Sequence, residues 1–164
     1  MIDKDFAKLG AKTLKTAGIT EAPVDLERLC AYLRLHHERP WHLSTDVWDA
    51  LSRPSRGRTR FKSQESSGLN ARHRWKLAHE IAHHLIHGAV PNLRAGSWET
   101  HEIEYEADLL AAELLMPPAA VKKAVKQHGD DLDGLAKDFG VGVREMEKRL
   151  RDLDLLTAEM HFRG

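Results

Sequence analysis

The sequence predicts an α+β fold: a mainly helical core with a small sheet, followed by a helical C-terminal subdomain. Three observations carry that expectation. Segments 71–87 and 104–117 repeat apolar residues at helical spacing. Residues 35–39, just before Pro40, and Thr59-Arg60-Phe61-Lys62 are the strand candidates, set off by proline, glycine and serine. Residues 119–164 read as helix. The expected division is therefore 1–118 for the main domain and 119–164 for the helical subdomain.

Taken in order, residues 3–17 form a helix ending near Gly18. Residues 24–35 form a second, opened by Pro23 and Asp25, and Cys30 falls on its Leu26-Leu29-Cys30-Leu33 stripe as a core residue. The first strand candidate follows, then a short helix over 44–52 capped by Ser44. From Arg53 to Lys76 there are eight Lys or Arg and one acid, Glu65, a local charge of +7. Gly57 and Ser66-Ser67-Gly68 mark turns within it.

Residues 71–87, ARHRWKLAHEIAHHLIH, have Asn70 as N-cap and Gly88 as C-terminal glycine, with Leu77, Ala78, Ile81, Ala82 and Leu85 on one face. Residues 104–117 have Thr100 as N-cap and Pro117-Pro118 as stop, with Ile103, Ala107, Leu110 and Leu114 as the buried stripe. In 131–154, Leu135, Ala136, Phe139, Gly140, Val141, Met146 and Leu150 fit helix-turn-helix spacing. That segment has seven acids and five bases, and of Gly142-Val143-Arg144 only Arg144 can read base edges. It reads as a helical packing module, and DNA binding is not expected.

The bulk properties exclude several classes. The chain has 164 residues, enough for a real core, and 25 basic against 25 acidic side chains give no polyelectrolyte character. A single cysteine rules out an internal disulfide and a multi-cysteine zinc site. The opening MIDKDFAKLGAKTL is charged throughout and does not read as a secretory signal. No run of apolar residues is long enough for a membrane span, so a cytoplasmic protein is expected.

The chemistry is concentrated in His79-Glu80-Ile81-Ala82-His83. On a helix, residues i and i+4 lie about 40° apart around the axis, so both imidazoles can reach one ion at ~2.0–2.1 Å. Glu80, about 100° round from His79, is too far aside to ligate easily but can reach a water at the ion. A third ligand is needed, and Glu104 with Asp108 supplies the right pattern: a ligand carboxylate, and one turn on a carboxylate that accepts the free ring N–H of a ligand histidine. Glu106 competes for the ligand role, but lies about 200° from Glu104. Asp108 favours Glu104.

HEIAHHLIH followed by EYEADLLAAELLMP resembles the ImmA/IrrE family of metallo-endopeptidases, related to the gluzincins. RWKLAHEIAHHLIHG is similar to the start of that family's first signature helix, and ADLLAAELLMP to its second signature. The resemblance extends over roughly residues 24–154. It departs at Trp75-Lys76, where the family often has Phe-Thr. It implies a zinc-metalloprotease-like domain over 1–118, a ligand set of His79, His83 and Glu104, and Glu80 as catalytic base. The implied substrate is a regulatory protein, typically a helix-turn-helix repressor. Zn²⁺ is the expected metal, and the ligand set tolerates Mn²⁺. His101, one turn before Glu104, is a candidate for steadying the oxyanion and equally a candidate surface residue; Tyr105 is its rival. The basic 53–76 stretch can dock an acidic or extended partner, protect a strand edge, or contact nucleic acid. A second reading of the whole is a zinc-stabilised regulator that sequesters a partner without cutting it, and Glu80 discriminates the two.

Overall fold

In a computed structural model the chain is described over residues 2–35, 70–87 and 98–160. Among these, seven helices follow one another: α1 (Ile2–Thr16), α2 (Leu26–Tyr32), α3 (Ala71–His87), α4 (Trp98–Leu115), α5 (Pro118–His128), α6 (Leu132–Phe139) and α7 (Val143–Asp152). The helices expected within the described residues are present, and two caps act as expected. Asn70 Oδ1 accepts from the His73 N–H at 3.0 Å, and Asp25 Oδ1 accepts from the Arg28 N–H at 2.9 Å. Helix α4 begins earlier than expected, so Thr100 lies inside its first turn and is not its cap.

The α+β expectation is corrected here. The described residues contain no strand, and their core is helix packed on helix. Leu35, taken as the start of a strand, instead closes α2. Arg34 turns left-handed (φ 59°) and the Leu35 N–H reaches back to the Cys30 carbonyl at 3.0 Å, burying the leucine. Residues 36–39, the short helix over 44–52, Thr59–Lys62 and Gly88 lie outside the described residues, as does the basic stretch up to residue 69. What the described chain buries comes from stripes of helical period, and those stripes are satisfied by one another.

The pairing that matters most for function is α3 on α4, the most extensive among the described residues. Leu77, Ala78, Ile81 and Ala82 of α3 and Ala107, Leu110, Ala111 and Leu114 of α4 are all buried. Helix α1 crosses the other side of α4 at close range. A Cβ on Gly10 would come within 3.0 Å of the Glu113 Cβ, so glycine sets that approach. Cys30 sits in the α2 part of the core, where burial above all, with Glu27 and Asp25 adding, pushes its thiol up to about 12. It is therefore a protonated, inert core residue.

Two arginines are buried in this core. Arg74 of α3, 2% exposed, donates from Nε to the Gly140 carbonyl at 3.1 Å and from a terminal nitrogen to the Val24 carbonyl at 2.8 Å. It ties the metal-motif helix to the segment before α2 and to the α6–α7 turn. Arg149 of α7 donates from Nε to the Met116 carbonyl at 3.0 Å and pairs with Glu113 of α4. The guanidinium forks satisfy carbonyls left open by turns and helix ends, which is how such cations become tolerable in a core. No described helix is long and apolar enough to cross a membrane.

Candidate metal centre

The packing of α3 on α4 brings three ligand-type side chains to one point. His79 and His83 project from successive turns of α3, and Glu104 faces them from α4. His79 Nε2 lies 3.0 Å from Glu104 Oε2, His83 Nε2 lies 3.1 Å from Glu104 Oε1, and the two ring nitrogens are 3.0 Å apart. The imidazole rings stand nearly perpendicular, at 80° with centroids 4.6 Å apart, so their Nε2 edges converge while their faces do not stack. The histidine side chains are 16% and 13% exposed and Glu104 is 53% exposed. The nitrogens are thus shielded and the carboxylate stands at the mouth.

These donors fit a divalent ion. Ligands bonded at ~2.0–2.1 Å in a tetrahedron stand ~3.3 Å from one another, close to the separations found. The ring tautomer agrees. Asp108 Oδ1 lies 2.8 Å from His79 Nδ1, so that nitrogen donates and Nε2 of the neutral ring keeps its lone pair for the ion. Asp108 is one turn beyond Glu104 on α4, and the two carboxylates hold His79 from opposite edges of its ring. Burial draws the His79 pKa down, but the Asp108 hydrogen bond and the charges of Asp108 and Glu104 outweigh it, and the net direction is upward. Without a metal, a proton is the natural occupant of this cluster.

Glu80 is half-buried. Burial is the main cause that lifts its carboxyl to about 7, Glu104 adds to it, and His79 and Lys76 oppose it. Glu106 is not among the three converging groups, and His101 and Tyr105 are exposed. Arg74, Glu113 and Arg149, which hold the two ligand-bearing helices in place, escaped the sequence reading. The signal was there: Arg74 lies one turn before Leu77 and Ala78, in line with the Leu77-Ala78-Ile81-Ala82-Leu85 stripe, and Arg149 borders the Met146-Leu150 stripe.

Paired histidines from one helix and a carboxylate from the next define a protein able to hold a metal ion. Residues 69–151 match the family described as the IrrE N-terminal-like domain, a family of peptidases, and the chain belongs to it. The match begins at residue 69, so it takes in α3 to α7 and leaves α1 and α2 outside. No curated protein and no solved structure matched the chain.

Proposed function

We propose that the chain is a zinc-dependent endopeptidase that cuts one regulatory protein, a helix-turn-helix transcriptional repressor. The observation that carries the reading is the convergence of His79, His83 and Glu104, with Asp108 behind the first and Glu80 one residue along the same helix. Membership of a peptidase family supports proteolysis as the use of that cluster. The substrate class rests on the likeness to ImmA/IrrE proteins.

His79, His83 and Glu104 hold the ion; Zn²⁺ suits the set and Mn²⁺ is tolerated. When bound, the ion supplies Lewis acidity, acidifying water and polarising a peptide carbonyl. Glu80 accepts a proton on its carboxylate and returns it to the departing amine. Burial lifts this carboxyl to about 7 in the metal-free protein, and a cation bound beside it would draw it back towards the ionised form that accepts the proton. Asp108 fixes the His79 tautomer, and His101 has the lesser task of steadying negative charge on the carbonyl oxygen.

The test uses Glu80→Gln, which keeps the shape and loses the base. This full-length variant is used as bait, and each trapped protein is then incubated with wild type and followed by mass spectrometry. The expected result is a transcriptional regulator cut once by wild type and left whole by the variant. A trapped regulator that wild type leaves intact overturns the proteolytic reading in favour of sequestration. Ready digestion of casein with no trapped regulator overturns the regulatory one.

A further inference from the structure

A groove lies along α5, bounded by the last turns of α1, the 19–24 segment and the end of α6. It is made of two hollows, of about 770 and 240 Å³. Thr20, Glu21, Ala22, Ala119 and Ala120 line both, so the two adjoin. We propose that this groove docks an acidic, amphipathic segment of a partner protein, held by Lys15, Lys123 and Lys137. No residue of the metal cluster lines it, and the docking does not rest on the proteolytic reading above.

Charge complementarity carries the argument. Lys15 of α1, Lys123 of α5 and Lys137 of α6 line the groove and are exposed, and none of their side chains makes a hydrogen bond or ion pair among the described residues. Two acids also line it. Asp138 is held by His128 Nε2 at 3.1 Å, and Glu21 is the one unpaired carboxylate of the lining. Three lysines against two acids leave the lining positive even with His128 uncharged. The surrounding helices add to it. From Phe6 to the end of α1, and along all of α5, there are six lysines and no acid, in a chain whose net charge is zero. Such a concentration of one sign draws a negative partner and speeds its encounter. Beneath the lysines the lining is apolar: Leu14, Ile19, Val24 and Phe139 are buried, and Ala22 and Ala119 are exposed. Cations over an apolar floor suit a polypeptide that presents aliphatic side chains between its carboxylates. A nucleic acid fits less well. Its interfaces are more polar, and Phe139, the one Phe, Tyr or Trp of the lining, is 1% exposed and closed to stacking bases.

The test reads binding without cleavage. The probe is a fluorescein-labelled peptide of Leu and Glu patterned as an amphipathic helix. Its controls are the Lys-for-Glu peptide, the Ser-for-Leu peptide and a labelled oligothymidylate. Each is titrated by anisotropy into full-length, Zn²⁺-loaded Glu80→Gln protein, so that no probe is cut. The Leu/Glu peptide should bind saturably, shift the Ala119 and Ala120 amides in ¹H–¹⁵N spectra, and weaken between about 50 and about 300 mM salt. Lys123→Gln should weaken it about two- to fivefold, the worth of one exposed ion pair, and Lys123→Glu about tenfold or more. Lys148→Gln, on α7 and paired with Asp152 outside the groove, should change nothing. Equal binding of the Lys-for-Glu or Ser-for-Leu peptide overturns the proposal, as does no saturable binding of the Leu/Glu peptide. Binding untouched by Lys123→Glu, as for a carboxylate sitting on the metal, also overturns it. Tighter binding of the oligothymidylate through the same lysines gives the groove to nucleic acid instead. Peptide docking with no cleavage of any partner by wild type overturns the proteolytic reading and leaves the docking groove standing.

Discussion

Arg149 grips Glu113 with both terminal guanidinium nitrogens, at 2.9 and 2.8 Å, from 36 residues further along the chain. Both side chains are largely buried, at 6% and 12% exposure. Glu113 lies on α4, five residues beyond Asp108, so this pair fixes α7 against the helix that carries Glu104 and Asp108. The geometry of the candidate metal centre therefore depends on a contact made outside it.

Removing one partner should be costly. A buried pair adds little net stability over an apolar replacement, but stripping one charge leaves the other desolvated and alone, at a cost of about 3–5 kcal/mol. Arg149→Met is expected to lower unfolding stability by about 3 kcal/mol in urea titrations, with the Met116 carbonyl losing its donor as well. The double variant Arg149→Met/Glu113→Leu should recover most of that loss. A single variant within half a kilocalorie of wild type (about 0.5 kcal/mol, the usual range for surface changes) would mean the pair is solvated in solution.

Gly140→Ala tests the second arginine. Gly140 ends α6 in the left-handed region, φ 63°, and an added Cβ would lie 2.6 Å from Arg74 Nε. The left-handed backbone alone costs a side chain about 1–2 kcal/mol. Displacing Arg74 from the Gly140 carbonyl adds to that. The variant should lose about 2 kcal/mol or more on denaturant unfolding, combining backbone strain with a weakened buried hydrogen bond. Equal stability would show that the turn can relax away from Arg74.

How much was legible in the sequence follows from how each residue is held. The α3 and α4 helices could be read because their apolar stripes repeat at helical period, and the His79–His83 and Glu104–Asp108 spacings are local to one helix each. The approach of Glu104 to the histidines is a tertiary fact, yet it was inferable because a two-histidine site needs a third ligand. The fold class was not legible. The strand candidates had no partner named in the sequence, and Leu35 was captured by the end of α2 through hydrogen bonds that periodicity does not register. Arg74 falls within the basic 53–76 stretch. Charge composition masked its position on the buried stripe, where two distant carbonyls make the burial tolerable. Arg149 was hidden in the same way among the charges of α7.

Metal-free protein should lose stability as pH rises, and Glu80 is one identifiable cause. Burial raises its folded pKa from 4.5 to about 7, so the folded state holds that proton more tightly than the unfolded chain. Its stabilising contribution is fully present below pH 4.5 and is lost as pH climbs through about 7. His79, also raised, acts in the same direction above its ordinary range. Gln at position 80 cannot ionise. The stability of metal-free Glu80→Gln minus wild type should therefore grow between pH 4.5 and 7 and then level off. Thermal melts at half-unit intervals of pH measure it. A constant difference would place Glu80 in a more solvated setting than this structure gives it.

Metal binding should separate the acidic residues of α4 from one another. Wild type is expected to hold one divalent ion per chain. Glu104→Ala removes a converging donor and should abolish retention through gel filtration, whereas Glu106→Ala, outside the cluster, should retain the ion. Asp108→Ala leaves all three donors but frees the His79 ring and its tautomer, which typically costs 10–100-fold, so affinity should fall by roughly that factor. Because the same two carboxylates favour protonated His79, the ion must displace a proton, and affinity in wild type should drop steeply as pH falls through the raised His79 pKa. With the partner carboxylate gone, Asp108→Ala should show that drop at a lower pH. Zinc titrations from pH 5.5 to 8, read by elemental analysis of dialysed protein, distinguish these outcomes. Retained metal in Glu104→Ala together with loss in Glu106→Ala would reverse the ligand assignment, since no rearrangement of one helix brings both carboxylates to the same face.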